Sequence, residues 1–80
     1  MDKITKFLTR LSKKERDRIT QAMVDVIAGE LNGYHRKKMK GQANLYRIRV
    51  GDIRIVFLEL NGERRILLVD RRDDTTYRQF

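Results

Sequence analysis

Arg47, Arg49 and Arg54 fall close together on either side of a Gly51-Asp52 pair. Gly followed by Asp between two apolar-alternating runs predicts a two-residue type II′ hairpin. Turn length sets register, and register sets which side chains share a face. Val50 then lies opposite Ile53, Arg49 opposite Arg54, Ile48 opposite Ile55, and Arg47 opposite Val56. All three guanidinium groups are expected on one side of a sheet. A like-charge cross-strand pair such as Arg49/Arg54 is disfavoured by about 0.2–1 kcal/mol against a neutral pair. A bound phosphate converts that repulsion into attraction, because guanidinium matches a phosphate with two parallel hydrogen bonds. The chemistry within reach of such a cluster is gripping a polynucleotide backbone and stabilising charge that develops on its phosphate. Lys37, Lys38 and Lys40 sit just upstream in the run Tyr34-His35-Arg36-Lys37-Lys38-Met39-Lys40-Gly41. So dense a run of like charge repels itself unless an anion is near. Arg71 joins the same face if the last strand runs that far.

The elements that must carry these residues are legible in the apolar periods. Ile4, Phe7, Leu8 and Leu11 recur at helical spacing. Ser12-Lys13-Lys14-Glu15 reads as a capping box that opens a second helix with the stripe Ile19, Ala22, Met23, Val26 and Ile27, stopped at Gly29 or Gly33. The two helices form a hairpin. Residues 34–44 are expected as a short edge strand or an ordered loop. From Leu45 the period changes to two, giving strands over Leu45–Val50, Ile53–Leu60 and Arg64–Asp70, the last pair joined by a type I′ turn at Asn61-Gly62. The predicted class is α+β, one domain over residues 1–80, with an N-terminal helical hairpin packed on a three- to four-stranded antiparallel sheet.

Register divides the strands into two faces. Tyr46, Ile48, Val50, Ile53, Ile55, Phe57, Ile66 and Leu68 form the side that the helices cover. The arginines share the other side with Leu45, Val56, Leu58, Leu60, Leu67 and Val69, with Val56 expected opposite Leu67 and Arg54 opposite Val69. Leucine and valine left uncovered are a liability on a monomer. A groove for a helix or strand of a partner protein is therefore expected over Leu45, Val56, Leu58, Leu67 and Val69.

Composition narrows the classes. The 80 residues carry 19 Lys and Arg against 11 Asp and Glu, a formal charge of +8. Such a balance in so small a domain favours polyanionic partners, RNA among them. No cysteine and one histidine leave neither a disulfide framework nor a thiolate or imidazole metal site, so no metal or other cofactor is expected. No apolar stretch reaches the ~20 residues of a membrane span, and the charges in the first eleven residues rule out a signal-peptide core. A cytoplasmic location is the expectation.

The stretch Lys38-Met39-Lys40-Gly41, followed by Leu45-Tyr46-Arg47-Ile48-Arg49-Val50-Gly51-Asp52-Ile53-Arg54-Ile55-Val56-Phe57, resembles the central signature of the RelE/ParE toxin superfamily. The ending Val69-Asp70-Arg71-Arg72-Asp73-Asp74-Thr75-Thr76-Tyr77-Arg78 is similar to that family's C-terminal arginine-and-tyrosine segment. The resemblance covers nearly the whole chain and rests on order and spacing together. It implies the toxin of a type II toxin–antitoxin pair, monomeric alone and hetero-oligomeric with its antitoxin. RelE-like members cleave mRNA in the ribosomal A site without a metal: the 2′-hydroxyl attacks the adjacent phosphate and basic side chains stabilise the developing charge. By position, Arg47 and Arg49 match two basic residues of the first signature strand and Arg54 the phosphate-binding arginine. Arg71 or Arg72 matches the C-terminal arginine, strand parity favouring the former and motif spacing the latter. Tyr77 matches a tyrosine that transfers a proton or stacks on a base.

Two departures bear on these roles. The chain enters its first helix almost at once, so the family's usual first strand is expected to be missing and a sheet edge open. Arginines also stand at strand positions that can be lysine in active relatives, and guanidinium is no base near neutral pH. A proton acceptor must come from Tyr77, assisted by Lys38, Lys40 or His35. Three functions compete: a ribosome-dependent endoribonuclease, a ParE-like inhibitor of DNA gyrase, and a non-catalytic RNA- or ribosome-binding relative. One fold serves all three. The convergent arginines argue against the gyrase inhibitor, and the missing lysines keep the non-catalytic relative in play.

Overall fold

The structure is a computed structural model that describes residues 2–71. It is an α+β fold: α1 (Lys3–Thr9) and α2 (Lys13–Ala28) precede a four-stranded antiparallel sheet of β1 (Lys37–Lys38), β2 (Leu45–Val50), β3 (Ile53–Leu60) and β4 (Glu63–Arg71), in spatial order β1-β2-β3-β4. Arg72 and Tyr77 lie outside the described residues.

Local chemistry accounts for each boundary. Asp2 caps α1, its carboxylate accepting from the Thr5 amide at 2.7 Å. Ser12 caps α2 by accepting from the Glu15 amide at 3.2 Å, as the Ser-x-x-Glu pattern requires. Glu15 sends its carboxylate to Arg71 instead, at 3.4 Å. Gly29 ends α2 in the left-handed region at φ 79°, which only a residue without Cβ adopts at no cost. A second constraint acts there. A Cβ on Gly29 would stand 2.8 Å from the Arg64 guanidinium. Of the Gly51-Asp52 turn only Gly51 has positive φ, whereas Asn61 and Gly62 both do, as types II′ and I′ demand.

The helices pack on one side of the sheet. Leu11, Ile19, Ala22 and Val26 meet Ile48, Ile53, Ile55, Phe57 and Val69 in a single core, with Ile4, Phe7, Leu8 and Met23 packed against it. Phe57, Ile48 and Ile55 are fully buried, each contributing about 1.5–3 kcal/mol by the usual transfer scale. Ile27 departs from the expected stripe. It is exposed, because α2 presents Ile19, Ala22 and Val26 inward and one residue further turns the side chain about 100° away.

The β2–β3 register is the expected one, from Val50 opposite Ile53 to Leu45 opposite Leu58. The β3–β4 register holds from Leu60 opposite Glu63 as far as Phe57 opposite Ile66, then shifts. Val56 lies opposite Leu68, not Leu67, and Arg54 lies opposite Asp70, not Val69. Leu67 is the extra residue of a β-bulge, which reverses strand parity beyond it. Val69 therefore joins the core, and Leu68 turns to the outer face. Arg71 lies opposite Ile53, on the helix side and away from the other arginines.

Candidate nucleic-acid interface

The outer face is built in rows. Lys37 of β1 lies beside Arg47 of β2, which lies beside Val56 and then Leu68. The next row runs Arg49, Arg54, Asp70. β1 is a short strand with Met39 donating its amide to the Leu45 carbonyl at 2.8 Å. That pairing swings the basic segment alongside β2. The result is a shallow groove of about 510 Å³ bordered by residues 37–40, Arg47, Arg49 and Arg54. Every lining residue except Met39 is cationic, and no carboxylate is among them. A smaller hollow joins His35 to Lys37, Arg47 and Arg49. Lys38 pairs with Tyr46, so strand parity aims its side chain opposite to that of Lys37, although its segment still borders the groove.

Two of the expected cluster are held by carboxylates. Arg54 donates Nε and Nη2 to Asp70 at 3.1 and 2.8 Å, a two-pronged pair whose side chains are largely buried. Arg54 is therefore not an uncompensated charge facing Arg49. Asp70, brought opposite by the bulge, supplies the opposite charge from within the sheet. Arg71 donates to Asp52 at 2.6 Å and to Glu15 at 3.4 Å. The hydrogen bond that Arg71 donates to Asp52, with the charges of both carboxylates, raises its already high pKa further. Arg71 thus ties the β2–β3 turn to α2. Arg49 differs: its Nε is buried and has no hydrogen-bond partner among the described residues. A buried donor without an acceptor costs about 1–3 kcal/mol.

The apolar part of this face also splits. Leu67 and Leu68 are exposed, as is Leu60, while Leu45 and Leu58 are half-buried. Val56 is buried at 6% and Val69 at 4% exposure. A partner cannot rest on those two valines. Val56 sits mid-sheet between Arg47 and Leu68, and Val69 faces the helices.

Sequence reasoning missed a second arginine network on the helix side. Arg64 donates Nε to the Val26 carbonyl at 2.8 Å and Nη1 to Glu59 at 3.2 Å. It places a cation at the C-terminal end of α2, where the helix dipole is negative. Arg36 reaches the same carboxylate at 2.7 Å and lies 3.9 Å over the Tyr46 ring, which stacks on Phe57. Burial alone would push Glu59 up. The hydrogen bonds from Arg64 and Arg36, with their charges, outweigh it and hold the carboxyl below its ordinary value. Tyr34 donates its hydroxyl to Asp25 at 2.5 Å. That bond, with burial and the Asp25 charge, pushes the phenol up to about 12. Tyr34 stays protonated and is no proton acceptor near neutral pH.

No protein-family model, curated protein or solved structure matches the chain. Among the described residues no three His, Cys, Asp or Glu side chains converge on a point, and no helix is long and apolar enough to cross a membrane. What the site offers is electrostatic: a groove with no carboxylate among its described lining residues, on a face built from paired strands and tight turns. A cationic surface of that kind suits phosphate oxygens at several points, and binding of that type is salt-dependent.

Proposed function

We propose that the chain is the RelE/ParE-like toxin of a type II toxin–antitoxin pair, acting in the cytoplasm on ribosome-bound mRNA. The observation that carries this reading is the groove whose border is cationic everywhere except at Met39. Lys37, Arg47 and Arg49 hold successive phosphates of an RNA strand lying across β1 and β2. Arg54, oriented by Asp70, stands at the far wall. In the cleavage step the 2′-hydroxyl attacks the neighbouring phosphate, its 5′-oxygen leaves, and guanidinium groups stabilise the charge on the non-bridging oxygens of the pentacoordinate phosphorus. None of the arginines takes the 2′-proton. His35, which shares a hollow with Lys37, Arg47 and Arg49, is the candidate acceptor on this face. An acidic amphipathic segment of the antitoxin would cover Leu60, Leu67 and Leu68 and neutralise the cations beside them.

The second reading, an RNA- or ribosome-binding relative without cleavage, is favoured by one finding. Two arginines of the implied catalytic set, Arg54 and Arg71, are engaged by carboxylates. Induced expression followed by primer extension on a translated message separates the two. Cuts within codons that vanish when translation is blocked are expected for the toxin. Intact messages with retained RNA binding leave the binding module. Arrested replication with intact messages and no RNA binding overturns both in favour of a gyrase inhibitor.

A further inference from the structure

Arg49 borders more than the groove. It is also part of the wall of a separate cleft of about 820 Å³, bounded by one side of α2, the segment after it and the end of β2. β1 pairs only as far as Arg47, so β2 has no neighbour on that side at Arg49 and the cleft opens there. Its wall includes Arg18, Gln21, Glu30, Asn32 and Tyr34. The Tyr34 ring is fixed, because its hydroxyl is bonded to Asp25 and Gln21 Nε2 donates to the same carboxylate at 3.0 Å. Glu30, Arg18 and Arg49 have no ion pair within the described residues, whereas Asp25 is already engaged.

We propose that this cleft is a nucleobase subsite, selective for guanine, that receives one base of the RNA strand held in the groove. The proposal deepens the RNA-binding reading and rests on it. Guanine alone presents two adjacent donors, N1–H and N2–H, on one edge, and two adjacent acceptors, O6 and N7, on another. A carboxylate takes the first pair and a guanidinium the second. Glu30 is the carboxylate and Arg18 the guanidinium. The Tyr34 ring offers a stacking surface, and its locked rotamer means little entropy is lost on stacking. Arg49 stands at the junction. A phosphate seated on it leaves the attached nucleoside at the mouth of the cleft, so phosphate grip and base reading share one post.

The test uses the full chain and two probes. The first is hexauridylate against the same oligomer carrying one central guanosine, measured by fluorescence anisotropy. The guanosine oligomer is expected to bind about tenfold more tightly. Glu30→Gln and Arg18→Ala should each bring the ratio of the two affinities to within about twofold of one. The second probe is guanosine monophosphate, followed in amide NMR spectra. Shifts at Asn32, Gly33 and Gly51 are expected, and uridine monophosphate should not reproduce them. Equal binding of both oligomers, with those amides unmoved by either nucleotide, overturns the subsite while leaving the groove standing. Amide shifts with guanosine monophosphate, but no binding of either oligomer, support the cleft and overturn the groove reading.

Discussion

On the helix side of the sheet, arginine is a structural residue. Arg64 joins the end of α2 to Glu59, Arg36 lies over Tyr46 and shares the same carboxylate, and Arg71 ties the β2–β3 turn to Glu15. On the outer side, Lys37, Arg47 and Arg49 line a groove with no carboxylate among its described lining residues, and the Arg49 Nε is buried without an acceptor among the described residues. The same residue type thus stabilises the fold in one place and presents charge in the other. On the helix side the partner is a carboxylate from an adjoining strand, turn or helix: Glu59, Asp52 or Glu15. Arg54 stands between them, on the outer side but paired with Asp70.

That contrast can be broken in four ways. The largest effect is expected from the double substitution Arg47→Ala with Arg49→Ala. Loss of two phosphate contacts should weaken binding of single-stranded RNA about 100-fold and flatten the salt dependence by about 1.4 in slope, with only a small loss of thermal stability. A melting point that collapses instead would make those arginines structural. Next, Arg64→Ala should destabilise by about 2 kcal/mol, because the Val26 carbonyl and Glu59 each lose a donor. RNA affinity should stay within about twofold, and urea unfolding alongside a binding titration checks both halves.

Asp70→Asn sharpens the comparison, since it removes the carboxylate charge that faces Arg54. Stability should fall by about 1 kcal/mol and RNA affinity should rise several-fold. Unchanged affinity would show that the Arg54 charge does not reach the groove. The smallest effect is a pH dependence. The Glu59 carboxyl titrates below its ordinary value in the folded protein. Its network therefore stabilises fully above about pH 5, and that contribution is lost as pH falls through the folded value. Urea midpoints between pH 6 and pH 3 should decline, and Glu59→Gln should flatten the decline.

Much of this architecture can be read from the chain, and what cannot has a definable cause. The Ser12 cap, the Gly29 stop and both hairpin turns depend on local chemistry, and each appears where the residues call for it. The β2–β3 register follows from its turn, so the adjacency of Arg47, Arg49 and Arg54 was legible. The bulge was not. Ile66-Leu67-Leu68-Val69 is four apolar residues in succession, and an uninterrupted run has no alternation to betray a missed beat. Every error downstream of it follows: Val69 in the core, Leu68 outside, Asp70 beside Arg54 and Arg71 on the helix side. The Arg64 contact with α2 joins residues 38 positions apart, which no local pattern encodes. The cleft that Arg49 shares depends on where β1 stops pairing, a matter of two residues in a segment with no apolar period.

The irregularity at Leu67 has a further consequence for solubility. β4 is the longest strand and lies at the margin of the four-stranded sheet, with leucines exposed on it. A regular nine-residue margin of that kind would invite pairing with another copy of itself and growth into aggregates. A kink part-way along breaks the spacing of its amides and carbonyls, so an incoming straight strand finds a match over only half its length. Deleting Leu67 would restore a straight margin without disturbing the Arg54–Asp70 pair, and the shortened protein should precipitate at lower concentration than the parent.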